Sequence, residues 1–126
     1  MLGVLVGMKQ EARIIRRFLP DAPIALSNAT ASGAVAGAER LLRAGATCLL
    51  SFGCAGGLST SVKPGTIIVA DRVVMSDTSY EADADLSIQF GAEHARQGRI
   101  LHSDSLIETA EEKSRLYEAT GCIAVD

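Results

Sequence analysis

Apolar and polar positions alternate along the chain in short blocks: apolar runs of three to five residues, closed by glycine or small polar residues, each followed by a stretch with apolar residues at helical spacing. Residues 2–6 form one such run, ended by Gly7, and residues 11–19 then place Ile14, Ile15, Phe18 and Leu19 at i, i+1, i+4 and i+5, which predicts a helix with that stripe inward. Pro20 closes it, because the residue before a proline is pushed out of the α region. Residues 24–26 predict a second short strand, and 27–33 a loop that caps a helix over 34–44, with Ala38, Leu41 and Leu42 inward and Gly45 just past its end. Cys48-Leu49-Leu50 fits a buried strand, broken off by a tight turn at Gly53, Gly56 and Gly57.

Beyond that turn Lys63-Pro64-Gly65 leads into a β-branched strand over 66–70, which 71–75 either extend or bend. Residues 76–85 are polar and read as an irregular surface excursion. A marginal helix over 86–96, a strand over 99–102 and a helix opened by Thr109 and Glu112 follow, the last with Leu116 and Tyr117 on its inner face. Gly121 stops that helix and 122–125 read as one more buried strand. Strands alternating with helices give an α/β chain, a three-layer αβα sandwich on a mainly parallel or mixed sheet, as one domain over 1–126. A buried strand at the end of the chain, with nothing beyond it, reads either as a domain closed by an arrangement the pattern does not encode or as the N-terminal part of a longer fold, and as an uncovered edge it favours self-association into a homo-oligomer.

Composition narrows the function. The 126 residues are 48% apolar but only 4% aromatic, so small aliphatic side chains fill the core. A formal net charge of −3 argues against a nucleic-acid surface or a polybasic membrane contact. Arg13, Arg16 and Arg17 form the one basic cluster, a solvated helix face more readily than an anion site. The apolar run at the start is too short for a signal peptide, no run approaches the ~20 residues of a membrane span, and three cysteines without Cys-x-x-Cys spacing suit a reducing cytoplasm and no zinc.

Candidate chemistry gathers where strands end. Glycines 53, 56 and 57 let backbone N–H groups converge on a phosphate or a cluster of hydroxyls, or merely turn the chain. Glu11 stands one turn after Gly7, placed either for general acid/base work at the sheet edge or as a first-turn carboxylate favoured by the helix dipole. Cys54 in the glycine turn has no histidine placed to activate it. Ser103-Asp104 follows the strand at 99–102, where the aspartate either accepts from a ligand or caps a turn. Met8, Lys9 and Gln10 stand where a dinucleotide fingerprint needs small residues, no Gly-x-Ser-x-Gly elbow is present, and His94 and His102 lack partners at metal-ligand spacing.

Gly7…Glu11, Ser32-Gly33, Gly53-x-Ala55-Gly56-Gly57-Leu58, Pro64-Gly65-Thr66-Ile67-Ile68-Val69 and Ala124-Val125-Asp126, in that order, resemble the purine nucleoside phosphorylase and nucleosidase family. The short segment between Glu11 and Ser32 and the wording Leu49-Leu50-Ser51-Phe52-Gly53 look most like the hopanoid-associated phosphorylases. The resemblance implies cleavage of the bond between ribose C1′ and a purine, in a small-molecule nucleoside or adenosyl conjugate, with no cofactor and with either phosphate as a co-substrate or water capturing the sugar. It implies Glu11 as the catalytic carboxylate, Gly7, Gly53, Cys54, Ala55, Gly56 and Gly57 as the phosphate or ribose cradle, and Ser103, Asp104, Leu106 and Ile107 around the base. Cys54 stands where many relatives carry a hydroxyl, which sets hydrolysis against phosphorolysis. A ribose-gripping glutamate and a base-protonating aspartate lie further along in the family than residue 126, so the 126 residues are expected to be weakly active or inactive, and a non-catalytic nucleotide-binding or oligomerising module is the alternative.

Overall fold

Leu2, Val4 and Val6 point to one face of the first strand and Gly3 and Leu5 to the other, the period of two that a strand imposes. The computed structural model describes residues 1–126 and divides into two compact units, Met1–Cys54 and Ala55–Asp126. In the first unit, β1 (Leu2–Val6) lies between β2 (Ile24–Leu26) and β3 (Cys48–Phe52), and both pairings are parallel. The helix α1 (Lys9–Phe18) covers one face, where Ile15 packs with Val4 and Val6, and α2 (Ala31–Arg43) covers the other, where Leu41 packs with Ala25, Ala46 and Leu5. Helix, sheet and helix thus form three layers within 54 residues.

The helices sit where the pattern puts them, but with different faces inward. In α1 the buried stripe is Glu11 and Ile15, with Ala12 and Leu19 against the same cluster, whereas Ile14 and Phe18 face outward and Phe18 is 77% exposed. A turn of 3.6 residues brings 11, 15 and 19 under the sheet and carries 14 and 18 past it. In α2 the stripe is Gly37 and Leu41, and Leu42 is exposed. Gly37 is there for approach: a Cβ would stand 2.6 Å from Cδ1 of Leu5. That helix also starts earlier than the loop composition suggests, because Thr30 caps it, its hydroxyl accepting from the Gly33 N–H at 3.0 Å. On β3 only alternate residues are covered, with Leu49 and Ser51 exposed, so the strand is not buried on both faces.

The second unit carries a five-stranded mixed sheet in the order β4 (Gly56–Gly57), β8 (Ala124–Val125), β7 (Arg96–Leu101), β5 (Ile68–Met75), β6 (Thr78–Glu81). β5, β7 and β8 run parallel, while β4 and β6 are antiparallel edges. The expected strand over 66–70 starts at Ile68 and runs on to Met75, with a register shift between Ala70 and Arg72. The expected irregular excursion turns back at Ser76, whose φ is 53°, and becomes β6, an edge strand exposed along its length and tied to β5 by an Arg72–Glu81 ion pair. The expected helix over 86–96 is three things: α3 (Ala84–Gln89), a left-handed Gly91, and a 3₁₀ turn at Ala92–His94, after which Arg96 already belongs to β7.

The helix α4 (Ala110–Thr120) opens at Thr109, whose hydroxyl accepts from the Glu112 N–H at 3.2 Å, and stops at Gly121, φ 70°. Its Leu116 packs against Leu58, Leu101, Cys122 and Val125, but Tyr117 is exposed. β8 is no uncovered edge: residues 122–125 are all buried, between β7 and β4. No helix in the chain is long and apolar enough to cross a membrane.

Candidate active site

In a parallel sheet of order β2-β1-β3, with helices leaving to opposite faces, the crevice that takes ligands opens beyond the carboxyl ends of β1 and β3. Gly7 follows β1 and Gly53 follows β3 at that edge, and Glu11 stands between them. One oxygen of its carboxylate, Oε2, accepts from the backbone N–H groups of Gly7 at 2.9 Å and Met8 at 3.0 Å. The other, Oε1, accepts from the N–H of Cys54 at 3.2 Å, 43 residues away. The residue is only 5% exposed.

A carboxylate at the third position of a helix that reaches back to the amide before the helix is ordinary capping. Capping accounts for Met8 and, by proximity, Gly7. It does not account for Cys54, which comes from another strand. The two flanking glycines make room for the carboxylate: a Cβ on Gly53 would lie 3.0 Å from Oε1, and one on Gly7 would lie 3.3 Å from Oε2. Two oxygens offer about four acceptor directions, and three are taken. One acceptor direction is left, on Oε1, held in place by bonds from both strand ends.

Beside this group a cavity of about 500 Å³ opens over Gly7, Met8, Lys9, Arg13, Asn28 and Ala29. Asn28 and Ala29 both adopt left-handed conformations, φ 55° and 56°, which for alanine costs about 1–2 kcal/mol. Their turn is fastened by the buried Ser27, whose hydroxyl accepts from the Ala29 N–H and whose carbonyl accepts from the Thr30 hydroxyl. Sequence reasoning missed this turn as part of the site, and missed the Met8 amide. The run Ser-Asn-Ala-Thr names a loop, and only its contact with the end of β1 places it.

The structure thus brings Gly7, Glu11, Gly53 and Cys54 together in the first unit. Ala55, Gly56 and Gly57 belong to the second. The expected tight turn over 53–57 is a loop that continues into β4: none of these glycines has positive φ, and Gly57 is small because a Cβ would press to 3.3 Å on the carbonyl oxygen of Val62. Ser103 follows β7, its N–H donating to the Asp126 carbonyl at 2.9 Å and its hydroxyl to the Ser105 carbonyl at 2.7 Å. Asp104 Oδ1 lies 3.1 Å from Nε2 of His102, Leu106 is 80% exposed, and Ile107 packs into the Leu58–Cys122 cluster. Cys54 is exposed and Cys122 buried, all three cysteines are free thiols, and no three His, Cys, Asp or Glu side chains converge as a metal site.

The model of the phosphorylase superfamily matches residues 27–126. No curated protein matches the chain by sequence. Among solved structures, the 5′-methylthioadenosine/S-adenosylhomocysteine nucleosidase of Helicobacter pylori superposes with a TM-score of 0.86 at 18% identity, over 99% of this chain and 73% of that one. A mutant of futalosine hydrolase from the same organism gives 0.86 at 18%, over 99% and 74%. The corresponding nucleosidase of Neisseria meningitidis, in complex with methylthio-immucillin-A, gives 0.84 at 18%, again over 99% and 74%. The chain therefore has the fold of these proteins across nearly its whole length and spans about three quarters of theirs.

Proposed function

Since the chain belongs to the phosphorylase superfamily, we propose that it cleaves the N-glycosidic bond of a purine nucleoside or adenosyl conjugate, with Glu11 as the carboxylate at the reacting carbon. The observation that carries the reading is the fastening of Glu11 by amides from two strand ends at the edge of the sheet where such folds take ligands. As the bond to the purine lengthens, positive charge develops on the ribose. A fixed negative group stabilises that charge without having to reorganise, and its free acceptor direction can take a proton from the incoming nucleophile.

The ends of β1 and β3, with Gly7, Gly53 and Cys54, are assigned to the ribose side, together with Ala55, Gly56 and Gly57. The exposed side chains of Asp104 and Leu106 and the backbone around Ser103 and Ile107 are assigned to the base. An adenosyl-hopane is the conjugate suggested by the wording of β3, and a cytoplasmic homo-oligomer is the proposed form. A second reading, a binding or self-associating module without turnover, draws support from apolar side chains left outside, notably Phe18 at 77% exposure and Val35 at 61%.

Adenine release from 5′-methylthioadenosine, adenosine and an adenosyl conjugate, followed by chromatography, separates the two. The enzyme reading expects release that falls by ~10²-fold or more in Glu11→Gln. Ligand binding by calorimetry with no release, unchanged in Glu11→Gln, would establish the module instead.

A further inference from the structure

The outward side of α1 carries side chains that the fold does not use. At 3.6 residues per turn, Lys9, Arg13 and Arg17 form one row along the helix and Ile14 and Phe18 the row beside it. None of the three cations makes a hydrogen bond or an ion pair, and Ile14 and Phe18 are 45% and 77% exposed. Arg17 suits the negative end of the helix dipole, but Lys9 stands in the first turn, where that dipole disfavours a cation. Arg16 is different: it is tied back to the chain, donating to the carbonyls of Pro20 and Ala22 at 3.1 and 2.9 Å. The only acid of the helix is Glu11, which is 5% exposed and accepts from the amides of Gly7, Met8 and Cys54. The net charge of −3 conceals this face, because four of the twelve basic residues lie between Lys9 and Arg17.

We infer that this face docks on an anionic lipid surface, with Lys9, Arg13 and Arg17 against the headgroup phosphates and Ile14 and Phe18 in the boundary between headgroups and acyl chains. Charge complementarity selects the occupant together with the bare hydrocarbon next to it. A lipid interface takes both at once, as it does for amphipathic helices that lie in its plane. A nucleic-acid backbone would satisfy the cations and leave Phe18 in water. A second copy set face to face would bring the same cations against each other with no exposed acid of α1 between them. Lys9 and Arg13 also line the cavity beside Glu11. A docked chain would therefore hold the mouth of that cavity close to a bilayer-borne conjugate. That consequence rests on the glycosidic-cleavage reading, whereas the docking itself does not.

Co-sedimentation of the whole chain with vesicles tests the docking without any turnover. Vesicles of phosphatidylcholine alone are compared with vesicles containing about 30 mol% phosphatidylglycerol, at ~0.1 M and ~0.5 M NaCl. Binding is expected to the anionic vesicles only and to be lost at the higher salt. The double variant Arg13→Gln/Arg17→Gln should bind ~25-fold more weakly, at about fivefold per cation, and Phe18→Ala about tenfold more weakly. Arg40→Gln/Arg43→Gln removes the same charge from α2 and should leave binding unchanged; thermal melts confirm that each variant is folded. Absence of binding to the anionic vesicles overturns the inference, as does equal binding to the neutral ones. An equal loss in the α2 variant would reduce the attraction to diffuse charge and overturn it too. Binding indifferent to Phe18→Ala would mark a polyanion site in place of a lipid one. Self-association in the absence of vesicles, measured by analytical ultracentrifugation and abolished by Phe18→Ala, would give the face to a second copy and likewise overturn it.

Discussion

Gly53 and Gly33 show how much of the site depends on atoms that are missing. Neither has positive φ, so neither is explained by conformational freedom. A methyl group on Gly53 would reach to 3.0 Å of Oε1 and push the carboxylate off the Cys54 amide. Gly53→Ala is therefore expected to fold with little change in midpoint and to lose up to ~10-fold in kcat with a smaller effect on KM, since the carboxylate must give by a few tenths of an ångström and a misplacement of about 1 Å can cost ~10²-fold. Steady-state kinetics and a thermal melt on the same sample check it. At Gly33 a Cβ would fall 1.9 Å from the carbonyl oxygen of Ser27, a backbone atom that no rotamer can move aside. Gly33→Ala should cost about 3 kcal/mol in a urea titration and disturb the turn at Asn28 and Ala29 first. Glu11 and Gly7 were legible because a strand, a glycine and a helix in succession fix where the first helical turn lies. The partnership of Glu11 with Cys54 was not, because a pattern along one chain segment says nothing of what approaches from 43 residues away.

At the scale of elements, what could be read was whatever shows a one-sided pattern. β1, β2 and the presence of α1, α2 and α4 follow from apolar spacing and from Pro20, Gly45 and Gly121. The faces of α1 and α2 did not follow, since both Ile14–Ile15 and Leu41–Leu42 put two adjacent aliphatics on a helix whose buried stripe has room for one. Ile15→Ala should thus cost about 2–4 kcal/mol, while Phe18→Ala on the same helix changes stability by less than about 0.5 kcal/mol, as denaturant midpoints will show. A large cost for the Phe18 change would mean that the outer face of α1 is covered in solution. β6 escaped notice because Thr-Ser-Tyr-Glu is exposed at all four positions and has no apolar side to alternate with. Residues 86–96 misled because α3, Gly91 and the 3₁₀ turn together mimic one imperfect helix until the left-handed glycine is seen.

For the molecule as a whole, the class of fold was the most legible property, since alternation of strands with helices admits few arrangements. The strand order of the second unit was out of reach, because β8 inserts between β7 and β4 and no periodicity encodes such an insertion. The carbonyl of Ile123, next to β8, accepts from the N–H groups of Leu58 and Ser59 at 2.8 and 3.2 Å. Deleting residues 123–126 should accordingly abolish hydrogen-exchange protection at Leu58 and Ser59 while leaving Val4 and Val6, in the first unit, slowly exchanging. Equal loss in both places would mean that the two units unfold as one.

That insertion also sets a timetable. The first unit has all its strands once Phe52 has been made, whereas β4, synthesised next, must wait for the last strand to arrive some seventy residues later before its N–H and C=O groups find partners. Contacts so distant along the chain form slowly. During translation the Glu11 cradle can therefore be assembled while β4 and the outer side of β7 still lack their partner, and that interval is when a nascent chain of this kind is most exposed to aggregation.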